Sequence, residues 1–350
     1  MRAPAFWANP PARPGLLARL LAPLAWVWTF VTRRRLARGR GVRLRVPVVC
    51  VGNLTAGGAG KTPTVIALVE RLAARGVAAH VVSRGHGGSL EGPVRVEERR
   101  HTAAEVGDEP LLLAAFAPTW IARDRAAAAR AAEAAGAAVV VMDDGLQNPG
   151  LAKDLSIVVV DAGMGFGNGR VIPAGPLREP VADGLARADL LLAIGTPEER
   201  ARFRAAWPDI ALPVVGARLA PLPTGMPWQG LIALAFAGIG RPEKFFATLR
   251  SLGVELVAAH GFADHEPFAP RALVRLEAEA RAAGAQLVTT EKDAARLPAA
   301  FRPKVLVLPV RLEPDDWAPI DAALGRLTES LQARKKRTIS AEASGPAGSV

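Results

Sequence analysis

The chain has 350 residues, half of them hydrophobic, enough to bury a sizeable core and to build two domains. Its one cysteine, Cys50, lies inside the apolar run VPVVCVGN, which excludes disulfides and cysteine-rich metal sites and fits a reducing, cytoplasmic setting. The net charge of +11 is held at the ends: residues 1–45 carry ten Arg and no Lys, Asp or Glu, so the body lacks the basic groove that nucleic acid would need.

From Phe6 to Val31 the chain is apolar, with Trp7, Trp26, Trp28, Leu16, Leu17, Leu20, Leu21, Leu24 and Phe30, and Arg33, Arg34 and Arg35 follow at once. A membrane span needs roughly 20 uninterrupted apolar residues, and Arg13, Pro14, Arg19 and Pro23 interrupt this run. A secretory signal would place its charge before the apolar core. The order favours a helix lying in a membrane interface, Trp and Leu in the headgroup boundary and Arg on anionic lipid. A helix packed on the protein's own core is the alternative.

The stretch RVPVVCVGNLTAGGAGKTPTVIALVERLAARG then reads as strand, glycine-rich turn and helix. Gly57, Gly58 and Gly60 permit backbone angles that turn successive N–H groups toward phosphate oxygens at a helix N-terminus. In such a loop Lys61 reaches the β- and γ-phosphates and the Thr62 hydroxyl ligates Mg²⁺. The pattern GxxxxGK[ST] is met except at its first position, Thr55. A magnesium nucleotide site also needs a carboxylate at the end of a neighbouring strand. AAVVVMDDG supplies Asp143 and Asp144 at the carboxyl end of a buried run, the edge where open α/β sheets bind ligands; capping a helix is the other use of such a pair. Lys292 and Asp293 are adjacent in TTEKDAARL rather than spaced as in a guanine-binding motif, so ATP is preferred to GTP.

Ten short apolar runs alternate with helical stretches: VPVVCVG, AAHVVSRG, PTWIARD, AAVVVMDD, LSIVVVDA, DLLLAIG, LIALAFAGI, VELVAAHGF, QLVTTEKD and KVLVLPV. They predict parallel sheets with crossover helices. The Pro-rich segment IALPVVGARLAPLPTGMPWQG suggests a boundary, giving a basic amphipathic segment at 1–45, a phosphate-loop domain at 46–215 and a smaller α/β lobe at 216–332. Residues 333–350 have a disordered composition.

Seven motifs in order, GNLTAGGAGKTP, SRGHGG, VGDEP, DDGLQ, GFGNGRVIPAGPLREP, DHEPF and TTEKDAARLP, resemble the tetraacyldisaccharide 4'-kinase family over roughly residues 10–330. The resemblance implies a P-loop NTPase-like parallel sheet flanked by helices, with a second lobe and an interfacial N-terminal helix. It also implies Mg²⁺-ATP as donor and a tetraacyldisaccharide 1-phosphate glycolipid as acceptor at the cytoplasmic face of a bacterial inner membrane. No obligate protein partner is inferred. Carried over where the residues match, Thr55, Ala56, Gly57, Gly58, Ala59, Gly60, Lys61 and Thr62 would cradle ATP, and Thr62, Asp143 and Asp144 would organise magnesium. Asp108 becomes the candidate base for the sugar hydroxyl, and Glu109 assists with metal or water. His265 orients or tunes Asp108 unless it is an ordinary loop histidine. Arg178 is the leading candidate to stabilise charge on the transferred phosphoryl. Arg84 and Arg125 are weaker, since an Arg in either place is more often on the surface. Gln147 would bind nucleotide or order the loop.

The family usually reads DDGFQHRR where this chain reads DDGLQNPG, which predicts a changed local loop with activity retained. A membrane-associated P-loop ATPase acting as a switch for a protein partner is the rival reading. It accounts for the glycine-rich loop and the basic N-terminus but not for VGDEP, PLREP and DHEPF together.

Overall fold

The computed structural model describes residues 3–327; the tail expected to be disordered at 333–350 lies outside the described residues. All ten apolar runs become strands, and three further strands join them. In chain order they are β1 (Val48–Gly52), β2 (Ala79–Ser83), β3 (Val94–Arg95), β4 (Thr119–Ile121), β5 (Val139–Asp143), β6 (Leu155–Asp161), β7 (Leu190–Ile194), β8 (Val214–Pro221), β9 (Ile232–Ala237), β10 (Glu255–Gly261), β11 (Gln286–Thr290), β12 (Val305–Leu308) and β13 (Val310–Pro314). They form a nine-stranded sheet, β13-β8-β7-β6-β1-β5-β2-β4-β3, and a four-stranded sheet, β10-β9-β11-β12. The large sheet is parallel except for its two edge pairs, β3 with β4 and β8 with β13. The small one is parallel throughout.

Helices cover both faces of the large sheet, which is why its central strands are apolar without alternation. On β1 the side chains of Val49 and Val51 meet Val65, Leu68 and Leu72 of the helix Lys61–Ala73, while Val48 and Cys50 face Ala128 and Ala132 of the helix Arg125–Ala134. Burying each such valine or leucine contributes about 1.5–3 kcal/mol before chain entropy is subtracted. Burial also pushes the Cys50 thiol up to about 11, which leaves it inert. The chain runs from β5 on one side of β1 to β6 on the other, so the switch in strand direction of travel falls at the carboxyl end of β1, where the glycine-rich turn sits.

The boundary expected at 215/216 moves. β8 lies across it within the large sheet, and β13 re-enters that sheet antiparallel to β8. Beyond β13, Trp317, Ile320 and Leu324 pack on the large core. The four-stranded sheet is therefore an insertion carried between β8 and β13. β8 reads as a linker in sequence because it is half-exposed and bounded by Pro213 and Pro221.

The helix Ala22–Arg38 touches the body along a narrow seam of Ala25 and Thr32. Its outer side is apolar: Trp26 is 72% exposed and Phe30 64%, with Leu24, Val27 and Val31 alongside. No helix among the described residues is long and apolar enough to cross a membrane.

Candidate active site

Leaving β1, the chain makes a turn that opens onto a cleft. Gly60 takes φ +90° as the N-cap of the helix Lys61–Ala73, and a Cβ at Gly57 or Gly58 would meet nothing within 4 Å. Gly58 to Thr62 line a cavity of about 890 Å³ whose other walls come from both lobes, including Glu109, Asp161, Thr196, Arg241, Lys244, Asp264 and Lys292. The start of the turn is tied down rather than open. Thr55 bridges to Leu177, the Ala56 N–H donates to the Pro176 carbonyl at 2.7 Å, and Asn53 Nδ2 donates to the Thr55 and Gly57 carbonyls. Thr55 has no left-handed φ, so the glycine usual there is not required. Of the eight residues expected to cradle phosphate, Gly58 to Thr62 line the cavity.

Lys61 Nζ donates to Asn53 Oδ1 at 3.3 Å and lies 3.7 Å from Asp144 Oδ1. The two acidic residues ending β5 differ sharply. Asp144, at φ +48°, binds Arg178 Nη1 through both oxygens at 2.7 and 2.9 Å. Burial alone would raise its pKa, but Lys61 and Arg178 hold it below the usual carboxylate range. Asp143 receives only Ser83 Oγ at 3.3 Å, and its buried Oδ1 has no hydrogen-bond partner. Burial, with the neighbouring charges of Glu109 and Asp144, pushes it up to about 7. A buried carboxylate oxygen without a partner is the feature a cation satisfies. Among the described residues no cluster of three or more His, Cys, Asp or Glu is arranged to hold a metal. The orphaned Asp143 oxygen has the chemistry of a magnesium donor, an ion that usually takes most of its oxygens from phosphate and water.

Asp108 opens the helix Asp108–Leu113 after Gly107, which takes φ +91°. His265, itself at φ +61° in the smaller lobe, places Nδ1 3.0 Å from Asp108 Oδ2 and 3.2 Å from Oδ1. Burial pushes the Asp108 carboxyl up, but the hydrogen bond from His265 and the charges of Lys292 and Arg296 outweigh it and hold the pKa at about 2. The same bond raises the His265 imidazole against burial and the Lys292 charge. Glu109 pairs with Lys292 Nζ at 3.2 Å.

Gln147 donates to the Asn53 carbonyl and to Glu179, and accepts from Arg178 at 3.3 Å. Arg84 is exposed, whereas Arg125 is half-buried and donates to the Asp144 carbonyl at 2.9 Å. Sequence reasoning gave no role to Asn53, Asp161, Arg241, Lys244 or Lys292. Asp161 ends β6 as Asp143 ends β5, and the same strand-end rule could have found it. It binds Arg241 and Lys244 from the smaller lobe at 2.9–3.2 Å.

The family model described as Tetraacyldisaccharide-1-P 4'-kinase matches residues 17–329. The chain belongs to that family. A tetraacyldisaccharide 4'-kinase of Dinoroseobacter shibae is 64% identical over 329 residues, 93% of this chain and 98% of that protein. One of Jannaschia sp. is 58% identical over 328 residues, 93% of this chain and 99% of that protein. The crystal structure of the LpxK of Aquifex aeolicus in complex with ATP superposes with a TM-score of 0.72 at 25% identity, covering 89% of this chain and 99% of that one. Against the family pattern DDGFQHRR, the altered loop here docks on the N-terminal segment. Pro149 packs so closely on Gly39 that a Cβ there would lie 2.1 Å from it, and Lys153 Nζ donates to the Leu146 and Asn148 carbonyls.

Proposed function

We propose that this chain transfers the γ-phosphoryl group of magnesium ATP to the 4'-hydroxyl of a tetraacyldisaccharide 1-phosphate at a membrane surface, giving lipid IVA. The observation that carries this reading is the cavity lined by Gly58 to Thr62 together with Glu109 and Lys292, with Asp108 one residue from Glu109 and bound to His265.

In this reading the amides and Lys61 hold the β- and γ-phosphates, and Thr62 and Asp143 hold the metal, with Asp144 and Glu109 close by. Bound magnesium would supply neutralisation of the charge shared by the β- and γ-oxygens. Asp108 accepts the hydroxyl proton as the new O–P bond forms and the bridging β–γ bond breaks, releasing ADP. A carboxylate held at about 2 is a weak base, yet it is fully ionised at neutral pH. A loose phosphoryl-transfer transition state asks more for positioning than for basicity. Arg178 sits beside Asp144 where charge grows, and its carbonyl accepts from Trp28 Nε1 at 3.1 Å, linking the site to the N-terminal helix. The exposed Trp and Leu of that helix, followed by Arg33 to Arg35, support peripheral attachment to an anionic cytoplasmic leaflet.

The test is phosphoryl transfer from γ-labelled ATP to the glycolipid acceptor in detergent, with and without magnesium. Asp108→Ala should slow transfer by about 10²–10⁴. A loss within threefold would remove Asp108 from the mechanism, and label released only as phosphate on adding a protein partner would favour the switch ATPase.

A further inference from the structure

We propose that Lys292 is a positioning residue: its ammonium, reaching from the smaller lobe, fixes His265 as the neutral tautomer that carries its proton on Nδ1 and aims that proton at Asp108.

Lys292 is the second residue of the helix Glu291–Arg296, and its side chain is 17% exposed. Its Nζ lies 3.1 Å from His265 Nε2, 3.2 Å from Glu109 Oε1 and 3.4 Å from Asp264 Oδ1. An ammonium has three protons and no lone pair. Three neighbours at hydrogen-bond distance therefore use all of its donors, and the contact to His265 requires a lone pair on Nε2. With Nε2 accepting, the ring proton of the neutral imidazole must be on Nδ1, the nitrogen 3.0 Å from Asp108 Oδ2. A proton on Nε2 would point at a cation instead, or at Asp264 Oδ1, which at 3.7 Å is beyond hydrogen-bond reach. The other groups around the ring do not compete for Nε2: His86 meets it edge-on with centroids 6.0 Å apart, and Arg296 faces Asp108 from 3.8 Å.

The arrangement suits the proposed reaction, on which this inference rests. A histidine locked with Nδ1–H toward Asp108 holds the carboxylate in one orientation, and Glu109 and Asp264 hold the ammonium that does the locking. Lys292 also joins elements 183 residues apart in sequence, so the base is oriented only when the lobes are together.

The tautomer is read directly by two-bond ¹⁵N–¹H correlation spectra of the full chain, at a pH raised until the His265 ring-nitrogen shifts stop moving and the ring is neutral. The chain has five histidines, and a His265→Gln variant assigns the signal. The expected result is a proton on Nδ1 and a bare Nε2. Lys292→Met should release the preference and lower kcat by about 10–100-fold with little change in KM for ATP, as loss of an orienting partner does. Lys292→Arg, which keeps a cationic donor, should restore both the Nδ1–H signal and most of kcat. A proton on Nε2 in the unmodified protein, or an Nδ1–H signal unchanged in Lys292→Met, would overturn the proposal. Because the spectrum needs no turnover, it stays decisive should the acceptor prove to be a different alcohol. Should Lys292→Met not fold, a proton on Nε2 in the unmodified protein would still overturn the proposal.

Discussion

Replacing Asp108 by Asn keeps the size of the side chain and removes its charge, so its cost to stability follows from the environment of the carboxylate. In the folded chain the group sits at about 2 against an ordinary 3.8, because the hydrogen bond from His265 and the charges of Lys292 and Arg296 outweigh burial. A depression of that size corresponds to about 2 kcal/mol of stability at neutral pH. Asp108 is only 6% exposed, so solvent screening takes little of it. A lowered acid pKa gives stability that is present above the unfolded value and is lost as pH falls through the folded one. The wild-type advantage over Asp108→Asn should therefore be complete above about pH 4, roughly halved at pH 3 and gone below pH 2. His265 carries the opposite sign: its raised pKa adds stability that is full below its ordinary value and declines as pH rises through the folded one. This is the same interaction seen from its partner and is counted once. Denaturant unfolding of both proteins at several pH values between 3 and 8 measures the difference. Equal stabilities at pH 7 would mean that the contact between the lobes is not formed in solution, and the geometry argued for the base would fall with it.

Asp143 should behave in the opposite way. Burial, then Glu109 and Asp144, raise its carboxyl to about 7, so charging it opposes folding. In metal-free protein Asp143→Asn should gain stability over wild type, the gain growing from about pH 4 to pH 7 and then levelling. The same variant should lose the magnesium dependence of ATP binding, and thermal unfolding with and without magnesium checks both effects. At the other end of the molecule, changing Trp26 and Phe30 together to Ser should reduce sedimentation with anionic vesicles. Their exposure means that the melting temperature should hold, and a matching fall in both would make the helix a structural element instead.

The parts of this fold legible in the sequence are those whose cause is local. Gly60 must occupy φ +90°, and a Cβ there would lie 2.6 Å from Ile194 Cδ1, so the turn advertises itself as glycine. β1 and β5 are buried on both faces and read as unbroken apolar runs, which makes the glycine-rich turn after β1 and the carboxylates at the end of β5 easy to find. What the sequence hides are the elements whose neighbours lie far away. β8 and β13 are half-exposed partners separated in sequence by the whole smaller lobe, so neither shows its pairing in its own residues. Position alone likewise could not separate Asp143 from Asp144, although the first keeps an unpartnered oxygen and the second is claimed by Arg178. His265 and Asp108 are 157 residues apart, and only a motif resemblance linked them before their 3.0 Å contact was visible. Lys292 shows where that kind of resemblance stops. It lies inside a family motif, yet a lysine beside an aspartate at a helix start has the look of a solvated charge. Its identity as the donor to His265 Nε2 depends on three acceptors from two lobes converging on one ammonium, a relation that no spacing along a single chain can encode.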